Sequence, residues 1–468
     1  MTMKDWEKII DSINGVVWGP AMLVLLVGTG IFLTFRLGFL QISQLPYALK
    51  LAFSRKQDKQ STGDISHFQA LMTALAATIG TGNIAGVATA VVVGGPGAIF
   101  WMWITAVFGM ATKYGEAILA VKYRVTNQRG EMSGGPMYYI ERGLKEKWGF
   151  SWKWLAILFA LFGSLAAFGI GSLVQSNSVA EALHDYYGVN RWVTGVTLAV
   201  LTGLVILGGI KSIGRVTSYI VPFMAVFYII GGMIIIFTNI THVPDAFALI
   251  FKEAFTGASV SGGLIGTVIQ QGVARGLFSN EAGLGSAPIA AAAAKTDHPG
   301  RQALVSMTGT FLDTIVVCTF TGLSLVMAGN WIGADKGKGA ALTVEAFSSF
   351  LPYVGGFIVT VGLIFFAYST VLGWSYYGEK CFSYLFGDSS ITFYRTVFVF
   401  TTFVGAVLSL KVVWGFADLF NGLMAIPNLI GLLLLSSVIA SESRDFAALR
   451  RKEKLAGRAT TTETTVDQ

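Results

Sequence analysis

The sequence predicts an all-α membrane protein whose chain crosses the bilayer many times. Of its 468 residues, 53% are hydrophobic and only 13% are charged, whereas soluble proteins carry about 25% charged residues. Mean hydropathy is +0.64, and apolar windows long enough to cross about 30 Å of hydrocarbon recur along the chain. Most of the chain is therefore expected to lie in lipid.

Eleven such windows predict eleven transmembrane helices within one transmembrane domain, residues 1–467. The windows lie at about 15–35, 68–93, 97–121, 154–182, 191–210, 216–239, 260–291, 303–328, 352–376, 393–411 and 415–440. The stretch between the first two windows mixes apolar and basic residues, as an interfacial helix does. Residues 441–468 form a polar tail whose composition predicts disorder.

The order of the windows also predicts an internal repeat. With 15–35 set aside as an extra N-terminal helix, ten helices remain, five in 68–239 and five in 260–440. The two sets begin in opposite orientations, as an inverted repeat requires. Each opens with a window that is glycine-rich and polar at its centre, so broken helices are expected at about 68–93 and 260–291. Interrupted segments at matching positions of two halves are the best sequence sign of a transporter's binding site.

The charged residues predict the orientation and exclude some partners. Most of the 33 Lys and Arg residues lie in loops on one side, which places the C-terminus in the cytoplasm and the N-terminus outside. Because these basic residues are scattered, the net charge of +7 does not indicate a nucleic-acid partner. The sequence contains no GxxxxGK[ST] loop, so no nucleotide partner is expected. The chain is predicted to be a multi-pass protein of the cell membrane.

The first interrupted window contains the segment "ATIGTGNIAG", residues 77–86. Glycine tolerates unwound backbone and lets a ligand come close. Unwinding in the bilayer frees carbonyl groups that can hold a cation, and N–H groups at the start of a half-helix that can hold a carboxylate. A zwitterionic amino acid bound beside a sodium ion fits this combination. The structural alternative is a helix-packing face, since Gly82 and Gly86 form a GxxxG pattern.

The second interrupted window carries Arg275, Asn280 and Glu281, which are costly in lipid and should face a cavity or one another. Asn280 and Glu281 are expected to cap a half-helix or to form an inner gate with Arg275. Asp313 lies alone in the next window. It is either part of a proton relay or a hydrogen-bonded packing residue, and the sequence leaves both open.

Two further polar positions are candidate ligands. Gln175 can both donate and accept hydrogen bonds, which suits either end of an amino acid, although a helix–helix hydrogen bond is the alternative. Ser369 and Thr370 stand side by side and offer the hard oxygen atoms that sodium needs. The commoner use of such hydroxyls is a bond back to their own helix.

Three long motifs give the chain a family resemblance: "ATIGTGNIAGVATA", "GGPGAIFWMWITAVFGMATKYGE" and "GVARGLFSNEAGLGSAP", with "MSGGPMYYIERGL" in support. In this order they resemble the sodium-coupled alanine/glycine symporters, the alanine or glycine:cation symporter family. That family belongs to the amino acid–polyamine–organocation group. The resemblance implies a fold similar to that of the bacterial leucine transporter, with five plus five helices in inverted repeat and one additional helix at the start.

The resemblance also implies roles for individual residues. Substrate contacts are implied for Thr78, Thr81, Gly82, Asn83, Phe168, Gln175, Ile269, Gly272, Phe278 and Trp374. A sodium site is implied at the carbonyls of Ala76 and Ile79 and the hydroxyls of Ser369 and Thr370. Gating or structural roles are expected for Arg275, Asn280, Glu281 and Asp313.

These observations together predict a secondary active symporter, not an enzyme, that imports alanine or glycine with Na⁺ by alternating access. A proton-coupled amino-acid carrier is the alternative. Gln270 and Gln271 depart from the arginine and aromatic residue expected at these positions in many family members. A sodium-coupled glutamine or serine transporter of the same fold therefore also stays open. A channel or a membrane-embedded enzyme is disfavoured, because the sequence has paired breaks and no catalytic constellation.

Overall fold

The computed structural model describes residues 3–54, 61–256, 265–335, 338–408 and 411–466, and nearly all of them are helical. The main membrane helices run over Pro20–Arg36, His67–Thr78, Ala85–Gly94, Gly97–Lys122, Lys153–Ala166, Val174–Tyr187, Arg191–Ile206, Gly209–Thr238, Ile265–Asn280, Ala287–Ala292, Pro299–Thr310, Thr319–Ala328, Gly355–Phe386, Ile391–Val407 and Lys411–Leu434. Peripheral helices are Met3–Val17, Leu40–Ser43, Leu45–Ala52, Pro136–Tyr138, Leu144–Trp148, Val243–Thr256, Gly339–Phe350 and Ser436–Val466.

Short irregular segments complete these elements. Turns of 3₁₀-helix cover Thr81–Asn83, Ile240–His242 and Asp388–Ser390, and π-helical turns cover Tyr139–Gly143, Ala167–Leu173 and Phe311–Cys318. The strands of the described chain are Val125–Thr126 and Met132–Ser133, which pair antiparallel with Val125 opposite Ser133.

Seven helices of the described chain are individually long and apolar enough to cross a membrane. They are Gly97–Lys122, Lys153–Tyr187, Gly209–Thr238, Pro299–Ala328, Gly355–Phe386, Asp388–Val407 and Trp414–Leu434. The pair His67–Thr78 and Thr81–Gly94 makes an eighth when counted as one span. The predicted helical, many-spanning membrane protein is thus confirmed. The predicted number of eleven spans and the inverted repeat stay predictions, and residues 260–264 of one window lie outside the described residues.

The first broken helix (residues 67–94) has a well-defined start and a break near its middle. Ser66 and Gln69 cap each other's backbone N–H groups at the start, in a capping box. The helix stops at Thr78, passes through the 3₁₀ turn Thr81–Asn83 and resumes at Ala85, with a bend of 61° between its halves. The break predicted at 68–93 is confirmed.

The second broken helix (residues 265–292) stops at Asn280 and resumes at Ala287. The connecting turn contains three residues with left-handed backbone, Glu281 (φ 56°), Gly283 (φ 89°) and Gly285 (φ 86°). Glycine adopts this conformation without strain, whereas Glu281 does so against the preference of a residue with a Cβ atom. A break in this window was predicted and is present.

The long helix Gly355–Phe386 (the 355–386 helix) packs closely against the first broken helix. A Cβ atom at Gly373 would lie 2.8 Å from the Cβ atom of Ala77, so this contact requires glycine. Small residues allow such close approach between membrane helices. The contact places Ser369 and Thr370, one turn earlier in the helix, against the break that follows Thr78.

Both ends of the described chain are more ordered than the composition predicts. The expected disorder of the tail was wrong, because Ser436–Val466 is a helix (the C-terminal helix). Its sequence is rich in helix formers such as Ala, Leu, Arg and Lys, and it is held by the buried Phe446 and by an ion pair of 2.6 Å between Glu442 and Lys122. The helix Met3–Val17 was not predicted.

Candidate functional site

The break in the first broken helix frees two backbone carbonyl groups. In a continuous helix, the N–H of Gly80 would donate to the carbonyl of Ala76. It donates instead to Oδ1 of Asn83, at 2.9 Å. The N–H of Asn83 likewise donates to the carbonyl of Gly80, at 3.2 Å, and leaves that of Ile79 without its helical donor. Asn83 therefore holds the break open.

Two hydroxyl groups of the 355–386 helix reach these carbonyls. Oγ1 of Thr370 lies 3.0 Å from the carbonyl oxygen of Ala76 and 3.4 Å from that of Ile79. Oγ of Ser369 lies 3.3 Å from the carbonyl oxygen of Ala76. All four residues are buried. Each hydroxyl also lies 2.9 Å from the carbonyl of Phe366 in its own helix. The bond back to the same helix, which was the alternative use of these hydroxyls, is therefore present together with their contacts to the break.

Gly80 and Gln175 adjoin this oxygen cluster. A Cβ atom at position 80 would lie 2.6 Å from Oγ1 of Thr370 and 3.5 Å from Oε1 of Gln175, so only glycine fits there. Nε2 of Gln175 donates to the carbonyl of Ile170 at 3.1 Å, which lies in the π-helical turn Ala167–Leu173. Oε1 is buried and accepts no hydrogen bond from the described residues. A buried acceptor without a donor costs about 1–3 kcal/mol, which a bound ligand would recover.

A cavity of about 540 Å³ begins at the break. Its lining residues are Thr81, Gly82, Ala85, Gly86, Thr89, Ser178, Glu181, Ala182, Asp185, Tyr186, Arg275, Phe278, Lys338, Gly339, Ala340, Ala341, Val344, Thr360, Leu363, Trp414 and Asp418. Oγ1 of Thr81 is buried and has no hydrogen-bond partner among the described residues. The ring of Phe278 lies 3.3 Å from where a Cβ atom of Gly82 would stand, and it narrows the cavity at the break.

Arg275 and Glu281 form no ion pair or hydrogen bond with each other among the described residues, and the inner gate expected from the sequence stays a prediction. Arg275 lines the cavity with Asp418, which is within electrostatic range of it. Glu281 lies beyond the end of its helix, where its carboxylate accepts hydrogen bonds from Nε1 of Trp374 at 2.9 Å and from Oγ of Ser286 at 2.6 Å.

The side of the break away from the cavity is closed by buried polar groups. Nδ2 of Asn428 donates to Oε1 of Glu116 at 2.7 Å and to the carbonyl of Gly283 at 2.9 Å. The same Glu116 oxygen accepts from the N–H of Gly285 at 3.2 Å. These bonds hold the turn of the second broken helix in place. Trp374, for which the resemblance implies a substrate contact, is 1% exposed.

Asn83 and Asp313 form a buried pair instead of facing the cavity. Nδ2 of Asn83 donates to Oδ1 of Asp313 at 2.7 Å, and Oδ2 of Asp313 accepts from Ser279 at 2.8 Å and Thr314 at 2.7 Å. Both residues are 0% exposed. In this conformation Asn83 has no free group for a substrate, and Asp313 fits the hydrogen-bonded packing alternative.

Several other predicted residues also lie away from the cavity. The hydroxyl of Thr78 donates to carbonyls of its own helix, and Gly272 packs on Ala98 and Trp101. Phe168 packs on Tyr394 and Phe398, and Ile269 packs at the edge of the hydrophobic core. Asn280 caps the turn of the second broken helix by accepting from the N–H of Ala282 at 3.0 Å, as one sequence alternative proposed.

The sequence interpretation missed four polar residues of this region: Lys113, Glu116, Asp418 and Asn428. Lys113 is 4% exposed, with Glu281, Glu116 and Asp313 as its neighbouring charges. Each of the four lies in a predicted membrane window, where ionisable and amide side chains are rare and functional by default. That rule could have identified them.

We expect Asn83→Ala to destabilise the protein as well as to impair transport. The substitution removes the acceptor of the Gly80 N–H and a donor to a buried carboxylate, and each loss costs about 1–3 kcal/mol or more. Thermal unfolding of the detergent-purified protein measures the effect. In a double-mutant cycle with Asp313→Ala the two costs should be clearly less than additive, and full additivity would contradict the pairing.

Comparison with known proteins identifies the family. The sequence model of the "Sodium:alanine symporter family" matches residues 3–460. A relative from Methanococcus maripaludis, "Sodium/alanine symporter AgcS", is 64% identical over 451 residues, which are 96% of this chain and 99% of that protein. The chain belongs to the sodium:alanine symporter family. It is therefore a membrane-spanning member of a family of secondary transporters, which are not enzymes.

Other family relatives and solved structures widen this comparison. "Probable sodium/glutamine symporter GlnT" of Bacillus subtilis is 39% identical over 450 residues, 96% of this chain and 92% of that protein. Among solved structures, MhsT in complex with L-phenylalanine has a TM-score of 0.55 and 12% identity, and the match covers 81% of this chain and 98% of that one. This likeness shows a shared transporter fold, in line with the fold that the sequence resemblance implied.

Proposed function

We propose that this protein imports a small neutral amino acid, alanine or glycine, together with Na⁺. The single observation that carries the proposal is the cluster of four buried oxygen atoms at the break. Two carbonyls that have lost their helical donors, those of Ala76 and Ile79, meet the hydroxyls of Ser369 and Thr370 within 3.0–3.4 Å. Neutral oxygen ligands from an irregular membrane backbone are the donors that Na⁺ takes in transporters of this kind.

The same cluster suggests how ion and substrate are coupled. Na⁺ bound there would draw the first broken helix against the 355–386 helix. The substrate would lie between this cluster and the cavity. There Oε1 of Gln175, which is buried beside Gly80 and does not line the cavity, would accept from its ammonium group, and Oγ1 of Thr81 would be a further polar contact. Phe278 and Gly82 would limit the size of its side chain. Because each ligand would stabilise the arrangement that the other needs, their affinities should rise together.

The shape of the cavity suggests which step of alternating access is represented. The lining of the cavity includes Glu181, Asp185 and Lys338, and the charge distribution assigns the loops near these residues to the outside. The opposite side is closed by the contacts of Trp374, Glu281, Glu116 and Asn428. We therefore propose that the structure represents an outward-facing state. Import would require the outer side of the cavity to close and these inner contacts then to break.

The test is uptake by the purified protein reconstituted into liposomes. Labelled alanine uptake is measured with an inward Na⁺ gradient and with choline in place of Na⁺, against unlabelled alanine, glycine, serine and glutamine as competitors. We expect uptake to require Na⁺ and to be inhibited most by alanine and glycine. Strong competition by glutamine would favour sodium/glutamine symport, the function in the name of the Bacillus subtilis relative. Counterflow of labelled alanine is measured in the same liposomes, and its absence would contradict a carrier.

A proton-coupled carrier is the competing function, and Asp313 is the residue on which it depends. We expect Asp313→Asn to retain uptake with an unchanged pH dependence. The substituted amide keeps an acceptor for Asn83, while the hydroxyls of Ser279 and Thr314 can rotate to accept from its NH₂ group. Uptake is measured from pH 5.5 to 8.5 in both proteins. Loss of the pH dependence in the variant alone would favour proton coupling.

A further inference from the structure

A second cavity lies far from the transport cavity, beside the C-terminal helix. It measures about 300 Å³. Its lining residues are Leu37, Gly38, Leu40, Ser43, Gln44, Leu304, Ser443, Phe446, Ala447, Arg450, Arg451 and Lys454. These residues come from the C-terminal helix, from the segment that follows Pro20–Arg36 and from the helix Pro299–Thr310, and we call their cavity the basic pocket.

The charge of the basic pocket is entirely positive among its described lining residues. Arg450, Arg451 and Lys454 line it, and no Asp or Glu does. The acid that lies between them in sequence, Glu453, is engaged elsewhere, in an ion pair of 2.5 Å with Arg301. Ser43, Gln44 and Ser443 add polar groups. The pocket therefore suits an anion that accepts several hydrogen bonds.

Arg450 is fixed in place within the basic pocket. Its guanidinium carbon lies 3.6 Å from the ring centroid of Tyr47, and Nη1 donates to Oε1 of Gln44. Stacking of this kind holds the planar guanidinium without using all of its five N–H donors. Tyr47 belongs to the helix Leu45–Ala52, so the interfacial segment and the C-terminal helix hold this arginine between them.

The basic pocket lies beside the ends of two apolar helices, where lipid headgroups are expected. Leu37 follows the last residue of the apolar helix Pro20–Arg36, and Leu304 lies near the start of Pro299–Thr310. Large apolar side chains next to the pocket are exposed, namely Phe35 (66%), Phe39 (43%) and Ile42 (57%). A ligand bound there would have an anionic part among the cations and an apolar part along these side chains.

We propose that the basic pocket binds an anionic membrane lipid through its phosphodiester headgroup. Basic pockets between membrane helices on the side of positive loops bind such headgroups, and the adjoining exposed apolar surface favours a lipid over free phosphate. Arg450, Arg451 and Lys454 hold the phosphate, and Phe35 and Phe39 contact an acyl chain. The site is separate from the transport cavity and does not depend on the proposed substrate.

The test compares two double variants with the same charge change on the same helix. Arg451→Gln/Lys454→Gln removes two cations of the pocket, while Arg444→Gln/Lys452→Gln removes two exposed cations outside it. Binding of phosphatidylglycerol and of phosphatidylcholine to the full chain in neutral detergent is measured by native mass spectrometry. Since each cation near an anionic headgroup is worth about 1 kcal/mol, we expect phosphatidylglycerol affinity to fall about thirtyfold in the pocket variant. The control variant should match the wild type.

Other outcomes would overturn the proposal. Equal loss in both double variants would mean that the helix attracts anions without a specific site. Equal binding of phosphatidylcholine and phosphatidylglycerol would exclude recognition of the anionic headgroup. In a further arm, inorganic phosphate and glycerol phosphate are added as competitors at equal concentration. If either displaced phosphatidylglycerol completely, the pocket would be a soluble-phosphate site and the role of the apolar surface would be excluded.

Discussion

Thr370→Val should raise the Na⁺ concentration needed for half-maximal alanine binding by about 10- to 100-fold. Valine preserves the shape of threonine but cannot offer an oxygen atom to a cation. Hydrogen bonds and ion contacts of this kind are worth about 1.5–3 kcal/mol, and each 1.4 kcal/mol corresponds to about tenfold in affinity. Alanine binding is measured across a Na⁺ titration. Because the two ligands are coupled, alanine affinity should recover at saturating Na⁺.

Two buried serines of the same helix provide a matched control for this prediction. Ser369 and Ser375 each donate to a carbonyl of their own helix, at 2.9 and 2.7 Å, but only Ser369 also reaches the break. Ser369→Ala should therefore shift the Na⁺ titration, and Ser375→Ala should leave it unchanged. An unshifted titration in both Thr370→Val and Ser369→Ala would mean that the ion binds at another place.

Gln175→Leu should weaken alanine binding by about 10- to 100-fold at saturating Na⁺ without lowering the melting temperature. The substitution loses the bond to the carbonyl of Ile170 but also removes a buried acceptor that is unpaired in the free protein, so the two effects on the free energy of unfolding offset each other. A hydrogen bond from a charged ligand group to Oε1 of Gln175 is worth about 1.5–3 kcal/mol. The variant would lose this part of the binding free energy. Alanine affinity and thermal unfolding are measured on the same preparation.

Asn177 on the same helix is the control for Gln175. Its Nδ2 donates to the carbonyls of Leu408 at 2.9 Å and Gly405 at 3.3 Å, whereas Oε1 of Gln175 is buried without a partner beside the break. Asn177→Leu should lower the melting temperature and leave alanine affinity unchanged. If Gln175→Leu behaved in the same way as Asn177→Leu, Gln175 would be a packing residue and the substrate would be held by other groups.

The sequence alone was sufficient for the class of fold and for the positions of the two breaks. Long apolar windows are a local signal because lipid requires them. Glycine and polar residues in the middle of such a window are also a local signal, since they are costly there unless they serve a purpose. For this reason the breaks could be predicted from the residues alone, whereas the grouping of Ala76 and Ile79 with Ser369 and Thr370 was implied only by the family resemblance.

The sequence could not determine which polar group meets which. Asn83 looked like a substrate ligand, but its amide binds the Gly80 N–H and Asp313, a residue 230 positions away. Arg275 and Glu281 are close in sequence, yet Arg275 lines the cavity with Asp418 while Glu281 bonds to Trp374 and Ser286.

A buried polar group needs a hydrogen-bond partner because burial without one is costly. Only the packing of the helices decides which partner it has. The C-terminal helix shows the same limit. Its polar sequence resembles a disordered tail, and it is ordered by contacts of Phe446 and Glu442 with residues more than 100 positions away. The sequence thus determined that the chain is a helical membrane protein and where two of its helices break, while the tertiary structure alone decided the pairing, because the rotation and depth of each helix depend on its neighbours.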